Sequence, residues 1–243
     1  MPEQRPVRAG LPRRVRPTAC ALPSVTAAIS GAHRATMGPA QPVGGGSKEA
    51  TSPEEAVAHP ADVAEPDQVR TLFEEAERRF GGVDVVANTA GIMVLAPVAE
   101  FDLADFDRMH RTNVRGTFVV SQEAARRLRP GGALINFSTS VAKLAHPTYA
   151  AYAATKAAVE AMTLILAREL RGRDVTVNTV APGPTATPLF LNGKSQETID
   201  HLASLPPLER LGRPEDIAET VAFLAGPARW VNGQVIYTNG GIV

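Results

Sequence analysis

Tyr152 and Lys156 stand four residues apart in "YAATKAAVEAMTLILAREL", where apolar residues recur at helical spacing, so the two side chains share one helix face a turn apart. A phenol titrates near pH 10 and is a weak acid at neutrality. A neighbouring ammonium stabilises the phenolate and brings the hydroxyl towards useful proton transfer. Such a pair is also common on a solvated helix face, so its neighbours decide its meaning. Three hydroxyls, Ser138, Thr139 and Ser140, lie 14 to 12 residues upstream, at the end of a stretch that reads as a strand. Asn113 sits inside the preceding helical stretch, where asparagine has poor propensity and needs another reason to be present. A phenol, an amine and a hydroxyl together suit proton transfer to a polarised carbonyl.

Strands must alternate with helices to bring these groups together. "AVAHPADV" (56–63) reads as a short strand ending in a carboxylate. Val69, Leu72, Phe73, Ala76 and Phe80 then recur at helical spacing behind Pro66. "VDVVANTAG" (83–91) is a buried strand running into a glycine turn, and 102–128 reads as one long helix. Strands follow at "GALINFSTS", "VTVNTVAPGP" and "GQVIYTNGG", separated by the Tyr/Lys helix and by "RPEDIAETVAFLA". The alternation predicts an α/β fold: a Rossmann-like, doubly wound parallel sheet with helices on both faces. Ligands of such sheets bind beyond the carboxyl ends of the strands. The residues there are Asp62, Asn88, the 138–140 cluster and Pro182 to Thr187.

From about Ala56 to Val243 the chain resembles the short-chain dehydrogenase/reductase family, in particular reductases of acyl-carrier-protein thioesters, quinols or small ketones. The resemblance rests on "ADV", "NTAG", "TNVRG", "STS", "YAATK", "APGPTAT" and a terminal "NGG", in the family's order and at its spacing. It implies that Tyr152 is the general acid, and that Lys156 lowers its pKa and binds the nicotinamide ribose. It implies further that Asn113 holds a relay water, and that Thr139 or Ser140 hydrogen-bonds the substrate carbonyl. Asp62 and Val63 would flank the adenine; Asn88, Ala90 and Gly91 would line the adenosine side. Pro182, Gly183, Thr185 and Thr187 would border the nicotinamide. The implied cofactor is NAD or NADP, with NADPH favoured. The implied partners are a small carbonyl or alcohol substrate and further copies of the chain, as a dimer or tetramer. The segment 189–212 falls where the family places its substrate lid.

The head of the chain departs from this pattern. Residues 1–48 hold seven Arg or Lys against the single acid Glu3, with seven of the 20 prolines and no aromatic residue. The family's G-x-x-x-G-x-G turn is not legible there; after Gly31, Ala35 and Met37 occupy the other two positions. Residues 1–55 therefore read as an atypical, poorly ordered segment preceding a catalytic domain over 56–243. The length is right for the family while the content is wrong, as a displaced reading frame would make it. A relic scaffold that has lost dinucleotide binding is the alternative reading. Net charge is zero over 243 residues, and no aromatic-bearing basic module is present, so nucleic acid is not an expected partner. One cysteine excludes an internal disulfide and suits a cytoplasmic setting. No unbroken apolar run reaches the length of a membrane span, and no metal-ligand cluster is legible, so neither membrane nor metal is expected.

Overall fold

The computed structural model of the protein describes Ala27–Ser30, as backbone, and residues 58–243. In chain order the elements are β1 (Ala27–Ser30), α1 (Pro66–Phe80), β2 (Val83–Asn88), α2 (Leu103–Met109), a π-helical turn (His110–Gly116) and α3 (Thr117–Arg127). Then come β3 (Leu128–Phe137), α4 (Val141–Leu144), α5 (Ala150–Glu169), β4 (Thr176–Pro182), α6 (Pro188–Leu191), α7 (Gln196–Ser204), α8 (Pro214–Ala225) and β5 (Val235–Thr238).

The strands form one sheet in the order β1-β2-β3-β4-β5. From β2 to β5 the pairing is parallel, with Ala87 opposite Ile135, Asn136 opposite Thr179 and Val180 opposite Ile236. Parallel register gathers the carboxyl ends of these four strands along one edge. β1 differs: it pairs antiparallel with β2, Ala27 opposite Asn88 and Ser30 opposite Val85. The rest of the segment 1–55 lies outside the described residues.

Side chains alternate across the strands and supply two cores. Val86, Leu134 and Val177 face α1, α3 and α5, where Val69, Phe73, Val120 and Ala124 are buried against them. Ile135 and Val180 face the other way and pack beneath α8 through Leu224, Ile217 and Val221. Each fully buried side chain of this size stabilises the fold by ~1.5–3 kcal/mol. Helix α1 begins on Pro66, whose missing N–H belongs to a position without a helical partner, and stops at Gly81 in the left-handed conformation (φ 75°).

Two elements differ from the sequence expectation. The described part of 56–63 is not a strand. Pro60 has no N–H to give, the Asp62 N–H goes to Gln68 Oε1 (2.8 Å), and the Asp62 carboxylate accepts the Ala64 N–H (2.9 Å). These local bonds use the groups that a ladder would need. The single helix expected over 102–128 is instead α2, the π turn and α3, and Leu128 already opens β3. Asn113 lies in the π turn, and its amide is bonded twice to the backbone of Ile92 rather than facing solvent.

Candidate active site

Helix α5 presents Tyr152 and Lys156 to the carboxyl edge of the sheet, both nearly buried at 8% and 5% exposure. The Lys156 ammonium lies 5.8 Å from the Tyr152 ring centroid and donates to the main-chain carbonyl of Phe137 at the end of β3 (2.9 Å). Burial pushes the ammonium down to about 8 and pushes the phenol up, helped by the nearby Tyr149 phenol. The resemblance gave Lys156 the role of lowering the phenol's pKa. The amine is turned to Phe137, and desolvation dominates the phenol. Among the described residues the Tyr152 hydroxyl takes part in no hydrogen bond, which leaves its proton free for an incoming acceptor.

β3 ends at Phe137, and the Ser138 and Ser140 N–H groups still donate to the β4 carbonyls of Val180 (2.8 Å) and Pro182 (2.9 Å), while the hydroxyls of Ser138, Thr139 and Ser140 diverge. Ser138 donates to the Glu160 carboxylate (2.6 Å). Ser140 donates to the carbonyl of Ala181 (3.3 Å) and accepts from the Asn239 amide (3.0 Å). Among the described residues Thr139 only accepts, from the Val141 N–H (3.3 Å), and its own proton has no acceptor.

These groups meet in a cavity of about 660 Å³, within the range of small-ligand sites. Of the residues singled out in the sequence, Thr139, Ser140, Tyr152, Lys156, Gly91, Pro182, Gly183, Thr185 and Thr187 line it. Asp62, Val63, Asn88, Ala90 and Asn113 are not among its lining residues. Three of them are held by contacts of their own. Asp62 is half-exposed; burial would raise its pKa, but the Ala64 amide and the Arg111 guanidinium at 2.8 Å outweigh that and lower it. Val63 is buried beneath Gly116, where a Cβ would stand 2.6 Å from the valine methyl. Asn88 donates to Thr117 and Asn136, and its buried Oδ1 has no partner among the described residues.

Sequence reasoning did not single out Met93, Leu144, His146, Tyr149 or Ile242, which also line the cavity. Only Tyr149 carried a usable signal, one helical turn before Tyr152. The 189–212 segment contributes Leu189, Phe190 and Leu202 to the wall.

The cavity has room for the nicotinamide half of a dinucleotide. Gly91 borders it without a side chain, and a Cβ there would sit 3.4 Å from both Lys156 Nζ and Asn113 Oδ1. Gly183 holds the opposite edge against Asn239, at a distance that a Cβ would reduce to 2.8 Å. The Gly31 turn weighed for the pyrophosphate lies outside the described residues.

The family model described as enoyl-(acyl carrier protein) reductase matches residues 34–243. A short-chain type dehydrogenase/reductase of Picea abies is 47% identical over 188 residues, covering 75% of this chain and 69% of that protein. The chain belongs to the short-chain dehydrogenase/reductase family. Its members here include a chloroplastic NADPH-dependent aldehyde reductase-like protein of Arabidopsis thaliana, 43% identical over 189 residues, covering 75% of this chain and 70% of that one. Among solved structures of similar chains, a blue fluorescent protein from a metagenomic library, in complex with NADPH, is 39% identical. It superposes with a TM-score of 0.70 over 75% of this chain and 74% of its own. Membership makes the protein an oxidoreductase of the NAD(P)-dependent reductase type.

Proposed function

We propose that this short-chain dehydrogenase/reductase uses NADPH to reduce an uncharged aldehyde or ketone, with Tyr152 as proton donor. The observation that carries the reading is the convergence of the Tyr152 hydroxyl, the Thr139 hydroxyl and the Lys156 ammonium on one cavity bordered by Gly91 and Gly183. NADPH is favoured over NADH by the cofactor named for the Arabidopsis relative and for the metagenomic structure.

When bound, the cofactor supplies a hydride to the carbonyl carbon. Lys156, Pro182, Gly183, Thr185 and Thr187 would hold its nicotinamide ribose and ring. Tyr152 transfers its proton to the carbonyl oxygen, so that the C=O double bond becomes C–OH and the phenolate left behind is stabilised by Lys156. Thr139, rather than Ser140, gives the second hydrogen bond to that oxygen, because the Ser140 proton is already donated to Ala181. Association of copies would use exposed Phe118 on α3 and exposed Leu164 and Ile165 on α5, a matter that the molar mass in solution decides.

Charge on the wall points to the substrate class. Among the described residues the cavity contains no carboxylate and no arginine, and its single lysine is engaged at the reacting end. An anionic substrate would lose its hydration against a largely apolar wall, where His146 is the one basic side chain among the described lining residues left to meet it. With NADPH in excess, 4-nitrobenzaldehyde is therefore expected to show a kcat/KM on the order of a hundredfold above that of 4-carboxybenzaldehyde. Equal rates, a preference for the carboxylate, or oxidation of NADPH by neither compound would overturn the reading.

A further inference from the structure

The residue immediately before Lys156 has a connection of its own. Thr155 is fully buried in α5, and its hydroxyl joins two parts of the site that are distant in sequence. It donates to the main-chain carbonyl of Tyr152 (2.8 Å) and accepts from the Asn113 amide nitrogen (3.0 Å). The other Asn113 amide hydrogen goes to the Ile92 carbonyl (2.9 Å), and Asn113 Oδ1 accepts the Ile92 N–H (2.9 Å). Asn113 is itself 0% exposed, so both its amide hydrogens are satisfied only while Thr155 is present.

We infer that Thr155 is a positioning residue, whose hydroxyl locks the Asn113 amide of the π turn to the backbone of Tyr152 and so fixes where Asn113 Oδ1 stands relative to Lys156. The inference rests on the reductase reading for its effect on rate, but not for the lock itself. Lys156 Nζ and Asn113 Oδ1 both lie 3.4 Å from the point that a Gly91 Cβ would occupy. An amide free to turn would present its nitrogen there instead, an N–H dipole facing an ammonium. The orientation seen is the one that avoids this, since the Ile92 N–H demands an oxygen and Thr155, whose proton is given to Tyr152, demands a donor.

The π turn carries Asn113 towards Ile92 on one side and α5 on the other, and Thr155 is where α5 receives it. Thr155→Val keeps the branched shape and removes both the donor and the acceptor; Thr155→Ser keeps both.

The test has two arms. In the cofactor-free protein, the side-chain amide protons of Asn113, assigned by NMR through their loss in Asn113→Asp, should be protected from solvent exchange in the wild type and in Thr155→Ser. At least one of them should lose that protection by about tenfold or more in Thr155→Val. With cofactor and 4-nitrobenzaldehyde, Thr155→Val should lower kcat by about tenfold with KM changed less than about twofold, and Thr155→Ser should restore kcat. Should Thr155→Val not fold, Thr155→Ala takes its place in both arms. Unchanged amide protection in the variant overturns the lock whatever the activity. Lost protection with unchanged kcat, or a lowered kcat that Ser does not restore, overturns the positioning role. A wild type without turnover defeats the reductase reading and with it the rate effect, while the amide arm still decides the lock.

Discussion

Tyr152→Phe is expected to lower kcat for aldehyde reduction about a thousandfold while changing NADPH affinity less than about threefold. The substitution removes one oxygen and nothing else that the fold uses. The ring is buried with Met109 and Ala151 and packs against Ile92 and Met93, contacts that phenylalanine keeps, and the lost hydroxyl bonds to no described residue. Folding should therefore be unaffected, and the loss should fall on the chemical step. Steady-state rates of NADPH oxidation at saturating aldehyde, with affinity measured in parallel, check it. A variant with normal turnover would remove Tyr152 from the role of proton donor.

Lys156→Met separates activity from stability in opposite directions. Activity should fall about a hundredfold or more, because no other described cation lines the cavity to stabilise the phenolate. Stability at pH 7 should rise by about 2 kcal/mol, seen as several degrees in Tm. The sign follows from the depressed folded pKa of about 8 against an ordinary 10.5. Below pH 8 both folded and unfolded chains hold the proton, and the folded chain carries the full cost of a buried ammonium. From pH 8 to 10.5 the folded chain has released its proton while the unfolded chain has not, so the penalty fades as pH rises. The stability gain of the methionine variant should accordingly be largest at and below neutrality and shrink towards pH 10. Thermal denaturation at a series of pH values reads this directly. A gain independent of pH, or a destabilised variant, would mean that the ammonium is hydrated or better paired than its surroundings indicate.

The sequence disclosed the site best where strand and chemistry coincide. The ends of β2, β3 and β4 could be found from apolar runs stopping at small or hydroxyl residues, and these supply Gly91, Thr139, Ser140, Pro182 and Gly183 to the cavity. Helical spacing was enough to place Tyr152 and Lys156 side by side. What remained hidden depended on who pairs with whom. Nothing in "AAIS" announces an antiparallel strand beside β2. The loop character of the residues before α1 follows from Asp62 and Gln68 meeting through side chains. The preference for Thr139 over Ser140 in the proposed reaction rests on one carbonyl of β4, and the break in the long helix goes with two bonds between Asn113 and Ile92. Nor does the sequence announce that Val63, expected beside the adenine, is also the surface against which Gly116 packs. Periodicity reports which face of an element is apolar; it carries no information about which partner consumes a given proton.

All of this chemistry presupposes that the cavity takes up a reduced nicotinamide, and fluorescence titration of NADPH with the purified full-length chain measures that step alone. The account predicts a saturable change in emission with a Kd in the micromolar range, about −8 kcal/mol of binding free energy. A signal that fails to saturate at millimolar cofactor, from a protein shown to be folded, would contradict it.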